Sequence, residues 1–241
     1  MRRVLGIIGR PLGHSFSKRY FEERHGVEYL EFELGSIDEL PAVLAAHPNL
    51  AGFNVTIPYK VEVMRFLDEV SPEARAIGAV NCVSIDSDGR SVGHNTDAHG
   101  FGVGLEKLFD GRHVEVKALV LGSGGAAKAV LHVLTQIGIE HTTVSRNPAA
   151  GVIAYGDLPP EIVGDHKLII NTTPLGMWPD VNGRPELPYD ALGTKHYLYD
   201  LVYNPAETAF MREGARRGAA TIGGEEMLLA QAERNWEIWN K

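Results

Sequence analysis

The 241-residue sequence predicts an α/β protein built from two lobes. Strand and helix signals alternate through the first hundred residues, the mark of a mostly parallel, helix-covered sheet. A helix rich in small residues follows. Beyond it, strongly apolar strand segments and a glycine-rich strand-to-helix turn define a second, doubly wound lobe.

In the first lobe, residues 3–9 form an apolar strand, 17–26 a short helix, and 28–34 a strand of period-two character. Residues 36–47 form a helix with Ser36 as its cap and Glu39 completing a capping box. Residues 50–56 form a strand. Pro58 then suits the first position of a helix, and Lys60 falls in its first turn, near the positive end of the dipole. A lysine there has its charged form disfavoured, which suits proton transfer near neutral pH. Residues 80–85 and 91–93, joined by Asp86-Ser87-Asp88-Gly89, form a hairpin.

Helix 96–108 links the lobes. In the second lobe, 116–121 is a strand, 125–137 a helix and 142–145 another strand. Segments 168–172 and 197–202 are further buried strands, and 206–217 and 226–239 are amphipathic helices. Between Arg146 and Lys167, Pro148, Gly151, Gly156, Pro159, Pro160 and Gly164 leave no place for a standard helix, so this crossover is expected to be loop or short extended structure.

Composition narrows the function. A net charge of -8 argues against nucleic acid as the main ligand. The single cysteine, Cys82, permits no internal disulfide and suits a reducing compartment. No stretch reaches the roughly 18 apolar residues of a membrane span, and the apolar run near the start is too short for a signal-peptide core. The expectation is a cytoplasmic protein with a small-molecule substrate, no membrane partner, and a monomeric or homodimeric state. The ten histidines show no metal-ligand spacing, so no metal is expected.

Gly122-Ser123-Gly124-Gly125-Ala126-Ala127 follows a strand and opens a helix, matching G-x-G-x-x-A. The first glycine makes the tight turn and the second admits a pyrophosphate to the backbone. The last small residue lets the helix pack on the strand. The helix N-terminus supplies donors for phosphate. The next strand ends in Val144-Ser145-Arg146-Asn147, where NAD-binding folds carry an acid for the ribose 2′-hydroxyl. Arg146 attracts a 2′-phosphate instead, which favours NADP.

Three polar clusters mark the first lobe: Gly13-His14-Ser15-Phe16-Ser17, Asn54 to Lys60, and Asn95-Thr96-Asp97. Singly, each suits an ordinary role. Ser15 and Ser17 suit a helix cap, Asp97 a first-turn acid, Asn81 a turn, and Lys60 a solvated surface. Together they supply hydroxyls, amides, a lysine and a carboxylate opposite a dinucleotide loop. That set suits a polyhydroxylated acid and a proton-coupled hydride transfer.

With those residues in view, the chain resembles the shikimate dehydrogenase family along essentially its whole length. The resemblance is carried by residues 9–17, the N-V-T-x-P-x-K of 54–60, the G-A-x-N of 78–81 and the N-T-D-x-x-G of 95–100. In the second lobe it is carried by 171–177, 200–205 and 227–231. It implies NADPH-dependent reduction of 3-dehydroshikimate to shikimate, in aromatic amino-acid biosynthesis. It implies substrate contacts from Ser15, Ser17, Thr56, Asn81, Tyr203 and Gln231, with Lys60 and Asp97 as the catalytic pair. NADP would lie on Gly122, Ser123, Gly124, Gly125, Ala126 and Arg146, along Asn171, Thr172 and Thr173, with Gly224 and Met227 beside the nicotinamide. The implied architecture is an N-terminal mostly parallel α/β substrate domain, residues 1–99, and a Rossmann-like NADP-binding domain, residues 100–225. The C-terminal helix, 226–241, packs back on the first lobe. The alternatives are a quinate/shikimate dehydrogenase using NAD and a non-catalytic dinucleotide-binding sensor.

Overall fold

Val4–Gly9 (β1) is buried at every position, as a strand covered on both faces must be. The computed structural model describes residues 3–13, 16–147 and 149–241. The chain divides into two units, Met1–Thr96 with Ala232–Lys241, and Asp97–Gln231.

In the first unit, β1 pairs in parallel with Glu28–Glu33 (β2) and Leu50–Val55 (β3). Glu69–Val70 (β4), Cys82–Ile85 (β5) and Ser91–His94 (β6) complete the sheet in the order β2-β1-β3-β5-β6-β4. The β5–β6 hairpin forms as the sequence predicts. Asp86 Oδ1 accepts the backbone N–H groups of Asp88 and Arg90, both at 2.9 Å, which closes its turn. Helices Phe16–His25 (α1), Leu40–Ala46 (α2) and Pro72–Ile77 (α3) accompany this sheet. The Ser36–Glu39 capping box is present, on a 3₁₀ turn leading into α2.

Two local readings change. The helix α3 was not anticipated, although Ser71 caps it, Pro72 opens it and Gly78 ends it at φ 72°. No helix starts at Pro58. Residues 57–61 are a run of turns, followed by the 3₁₀ segment Glu62–Phe66. The Lys60 carbonyl accepts the Val80 N–H at 2.7 Å, and the buried Tyr59 donates its hydroxyl to the Leu34 carbonyl at 2.6 Å. Tertiary partners therefore take the groups a helix would use, and the dipole argument for Lys60 lapses.

The second unit opens with Asp97–Leu108 (α4) and continues through Ala118–Leu121 (β7), Gly125–Gln136 (α5), His141–Ser145 (β8) and Val152–Ala154 (β9). Then come Pro160–Asp165 (α6), Leu168–Asn171 (β10), Tyr197–Asp200 (β11), Ala209–Arg216 (α7) and Ala220–Ile222 (β12). All neighbouring strands are parallel, in the order β12-β11-β10-β7-β8-β9. Counted within the unit, this is the 3-2-1-4-5-6 order of a dinucleotide-binding sheet. The crossover after β8 does contain a helix, because α6 is short and carries Pro160 in its first turn, where a proline costs no hydrogen bond. Helix α4 is part of this unit's core. Phe101, Leu105 and Leu108 are buried, and Gly104 lies against Tyr199 where a Cβ would collide.

The last helix, Glu225–Trp239 (α8), begins in the second unit and ends in the first. Trp239 is buried in a cluster with Phe21 and Tyr29 and donates its indole N–H to the Val83 carbonyl at 2.9 Å. Gly52 lies beneath its ring, where a side chain would collide. His25 stacks on Trp236 at 3.8 Å between ring centroids, and Tyr20 donates to Glu233 at 2.5 Å.

Candidate active site

In the first unit, β1 and β3 are parallel neighbours, so their carboxyl ends open on the same edge of the sheet. Thr56 N–H donates to the Ile8 carbonyl and Arg10 N–H to the Ile57 carbonyl, both at 2.9 Å, which fastens the two exits together. Because β5 runs antiparallel to β3, Asn81 enters the sheet at this edge. Ser17, Thr56, Lys60 and Asn81 thus come from one edge of the sheet. Ser15 lies outside the described residues.

A buried polar chain holds these exits. The Ser17 hydroxyl hydrogen-bonds the Tyr29 phenol, Tyr29 donates to Asn54 Oδ1 at 2.8 Å, and Asn54 Nδ2 donates to the Asn81 carbonyl at 3.2 Å. Asn54 is therefore a brace. Burial pushes the Tyr29 phenol well above its ordinary range, so it stays a neutral donor. Asn81 Oδ1 accepts the Thr96 N–H at 2.7 Å, and its Nδ2 donates to Thr96 Oγ1 at 2.9 Å. Thr96 Oγ1 in turn donates to Asn235 Oδ1 at 2.6 Å.

The sequence reasoning missed Asn235. Its signal was a polar residue on an otherwise apolar stripe of α8, among Leu228, Ala232 and Trp239 at helical spacing. Tyr29 was missed because its strand reads as ordinary core. Burial holds the Cys82 thiol well above its ordinary range, which leaves it a core residue.

In the second unit, the order of strands reverses between β7 and β10, and ligands bind outside the carboxyl ends of strands at such a point. The glycine loop leaves β7 there. Gly122 has φ 113°, and a Cβ on it would come within 2.5 Å of Thr172 Oγ1. Thr172 donates its N–H and Oγ1 to the Leu121 carbonyl at 2.9 and 2.7 Å. Gly122, which opens the Gly122-to-Ala126 loop, therefore lies against Thr172 and Thr173, the residues that follow Asn171. A Cβ on Gly124 would meet nothing within 4 Å, and no side chain caps α5. The open loop and the uncapped amides fit the pyrophosphate of a dinucleotide.

Ser123 and Ser145 share a hydrogen bond of 3.0 Å between their hydroxyls, and Ser145 Oγ accepts the Asn147 N–H at 3.2 Å. This pair ties the glycine loop to the end of β8, where Arg146 is exposed. Gly224 packs so closely on the Leu201 carbonyl that no side chain fits, and the carbonyl of Gly224 accepts the Leu228 N–H at 2.9 Å inside α8. Gly100, one turn after the buried Asp97, lies against Met227 and Gln231. Gln231 donates its Nε2 to the Leu228 carbonyl at 2.9 Å, while Tyr203 is exposed. Glu226 is ion-paired with Lys107, so its charge is locally compensated.

A parallel sheet of this order, with a glycine loop at its reversal point, defines a dinucleotide-binding α/β protein, here joined to a separate α/β unit bearing a polar edge. Residues 7–83 match the family model of the shikimate dehydrogenase substrate binding domain. The chain is 36% identical over 261 positions to the shikimate dehydrogenase (NADP(+)) of Methanococcus maripaludis, covering 98% of this chain and 91% of that one. The shikimate 5-dehydrogenase of Thermus thermophilus, solved in complex with NADP(H) and shikimate, superposes with a TM-score of 0.84 at 33% identity, covering 98% of this chain and 93% of that one. The quinate dehydrogenase of Corynebacterium glutamicum, in complex with NAD, gives a TM-score of 0.85 at 28% identity, covering 99% and 93%. The chain belongs to the shikimate dehydrogenase family.

Proposed function

We propose that this protein catalyses the reversible, NADPH-dependent reduction of 3-dehydroshikimate to shikimate, a step towards chorismate and the aromatic amino acids. The observation that carries this is the pairing, in one chain, of the glycine loop at a β7/β10 reversal point with Arg146 at the end of β8 and no acid there. Similarity to NADP-dependent relatives over nearly the full chain supports it.

The first unit binds the substrate and the second the dinucleotide. When bound, NADPH supplies the hydride. Gly122 to Ala126, with Asn171, Thr172 and Thr173, hold its backbone, and Arg146 reads the 2′-phosphate. Gly224 and Met227 border the nicotinamide. Ser15, Ser17, Thr56, Asn81, Tyr203 and Gln231 hold the substrate carboxylate and hydroxyls. Lys60 gives a proton to the alkoxide that develops on the ketone oxygen, and Asp97 accepts a hydrogen bond from a substrate hydroxyl. The protein works in the cytoplasm, as a monomer or homodimer. The buried, unpaired thiol of Cys82 suits that reducing setting.

Turnover measured with shikimate and with quinate, each against NADP and NAD, tests this reading. Shikimate with NADP should dominate by at least about tenfold in kcat/KM. Equal or greater turnover of quinate with NAD would replace this reading with the quinate one, and binding without turnover would make the protein a sensor.

A further inference from the structure

Asp200 ends β11 with no exposed surface, and among the described residues no cation pairs with it. A buried carboxylate is costly unless its oxygens are satisfied. Three donors from separate places satisfy this one. Asn171 Nδ2 and the Val202 N–H donate to Oδ1 at 2.9 and 3.0 Å, and Thr208 Oγ1 donates to Oδ2 at 2.6 Å. Burial still raises its pKa to about 6, the three hydrogen bonds only partly opposing the shift.

The Asn171 contact reaches furthest. A carboxylate accepts only, so it forces the amide nitrogen of Asn171 towards itself and the amide oxygen the other way. That oxygen accepts the Thr173 N–H at 3.0 Å and Thr173 Oγ1 at 2.6 Å. Thr172, between them, is fastened to the Leu121 carbonyl and lies against Gly122. On its other side, Thr208 caps α7 by accepting the Met211 N–H at 3.2 Å. Anchoring α7 is structural. Orienting Asn171 shapes the surface that the glycine loop presents.

We propose that Asp200 is a positioning residue of the dinucleotide site: its carboxylate sets the Asn171 amide and thereby holds the Thr172–Thr173 loop against Gly122. The inference rests on the reading of this loop as the NADP site.

The test uses full-length variants, with NADPH affinity followed by cofactor fluorescence. Asp200→Ala should raise the NADPH Kd and KM at least tenfold, with kcat at saturation within about threefold. Asp200→Asn keeps an oxygen for Asn171 and Val202 and should restore affinity to within about threefold of the parent. Thr208→Val removes the α7 cap and the donor to Asp200 Oδ2 but leaves Oδ1 with Asn171 and Val202, and should lower the melting temperature while leaving the NADPH Kd within threefold. A folded Asp200→Ala protein with parental NADPH affinity, or Thr208→Val losing affinity as much as Asp200→Ala, overturns the proposal. If Asp200→Ala does not fold, Asn171→Ala must show the same tenfold loss, and parental affinity there overturns it. A parent protein that binds no NADPH would instead refute the cofactor reading itself.

Discussion

Thr96 Oγ1 donates to Asn235 Oδ1 at 2.6 Å, joining the exit of β6 to a helix 139 residues further along the chain. Both residues are buried, and Thr96 also fixes the two ends of the Asn81 amide. Asn235→Ala leaves the Thr96 hydroxyl without this acceptor. The expected loss of stability is about 1–3 kcal/mol in urea unfolding, with a higher KM for shikimate than for the parent. Unchanged stability and KM would show that the contact orders nothing.

Lys60 is the proposed general acid. General acid catalysis is worth about 10²–10⁴ in rate, so Lys60→Ala should lower kcat at least about 100-fold with a smaller change in KM. Steady-state kinetics decide it. A drop under tenfold removes Lys60 from the chemistry.

Arg146→Ala tests the 2′-phosphate reading. A charge-assisted hydrogen bond contributes about 1.5–3 kcal/mol, so NADP should bind roughly 10- to 100-fold more weakly while NAD binding changes little. Titration with both dinucleotides gives the answer, and equal weakening of the two would refute the assignment.

Gly122 combines a φ of 113° with close packing on Thr172. Gly122→Ala strains the backbone and pushes the Thr172 side chain from the loop, costing about 1–3 kcal/mol. Thermal unfolding and NADPH titration should both register the change, the second more strongly.

Asp200 makes a prediction with a definite sign in pH. Its folded value of about 6 lies above the ordinary 3.8, so between these values the folded state binds more protons than the unfolded chain. Its contribution is fully present below about pH 3.8 and is lost as pH rises through 6. The loss amounts to about 3 kcal/mol at most. The difference in unfolding free energy between the parent and Asp200→Asn should therefore move in favour of the variant across this window, then level off above pH 7. A difference independent of pH would mean that Asp200 does not titrate there.

Much of this protein was legible before its structure. The glycine loop, the hairpin at Asp86–Gly89 and the capping box at Ser36 depend on residues within a few positions of one another, and all three form. The parallel character of the second sheet also followed from its run of apolar strands. The sequence failed where local and tertiary preferences compete. Pro58 and the residues after it suit a helix, but Val80 takes the Lys60 carbonyl and the segment turns instead. Pro159 and Pro160 seemed to forbid a helix, yet one begins there.

The sequence by itself therefore determined the alternation of elements, the dinucleotide loop and the set of polar residues at the strand exits, because these rest on side-chain period and turn chemistry. Only the tertiary structure decided which of those groups brace and which stay available. Asn54 is spent on Tyr29 and Asn81, Thr96 on Asn235, and Asn171 on Asp200. A buried polar group must find a partner, and the partner it finds depends on which distant segments the sheets bring within 3 Å of it.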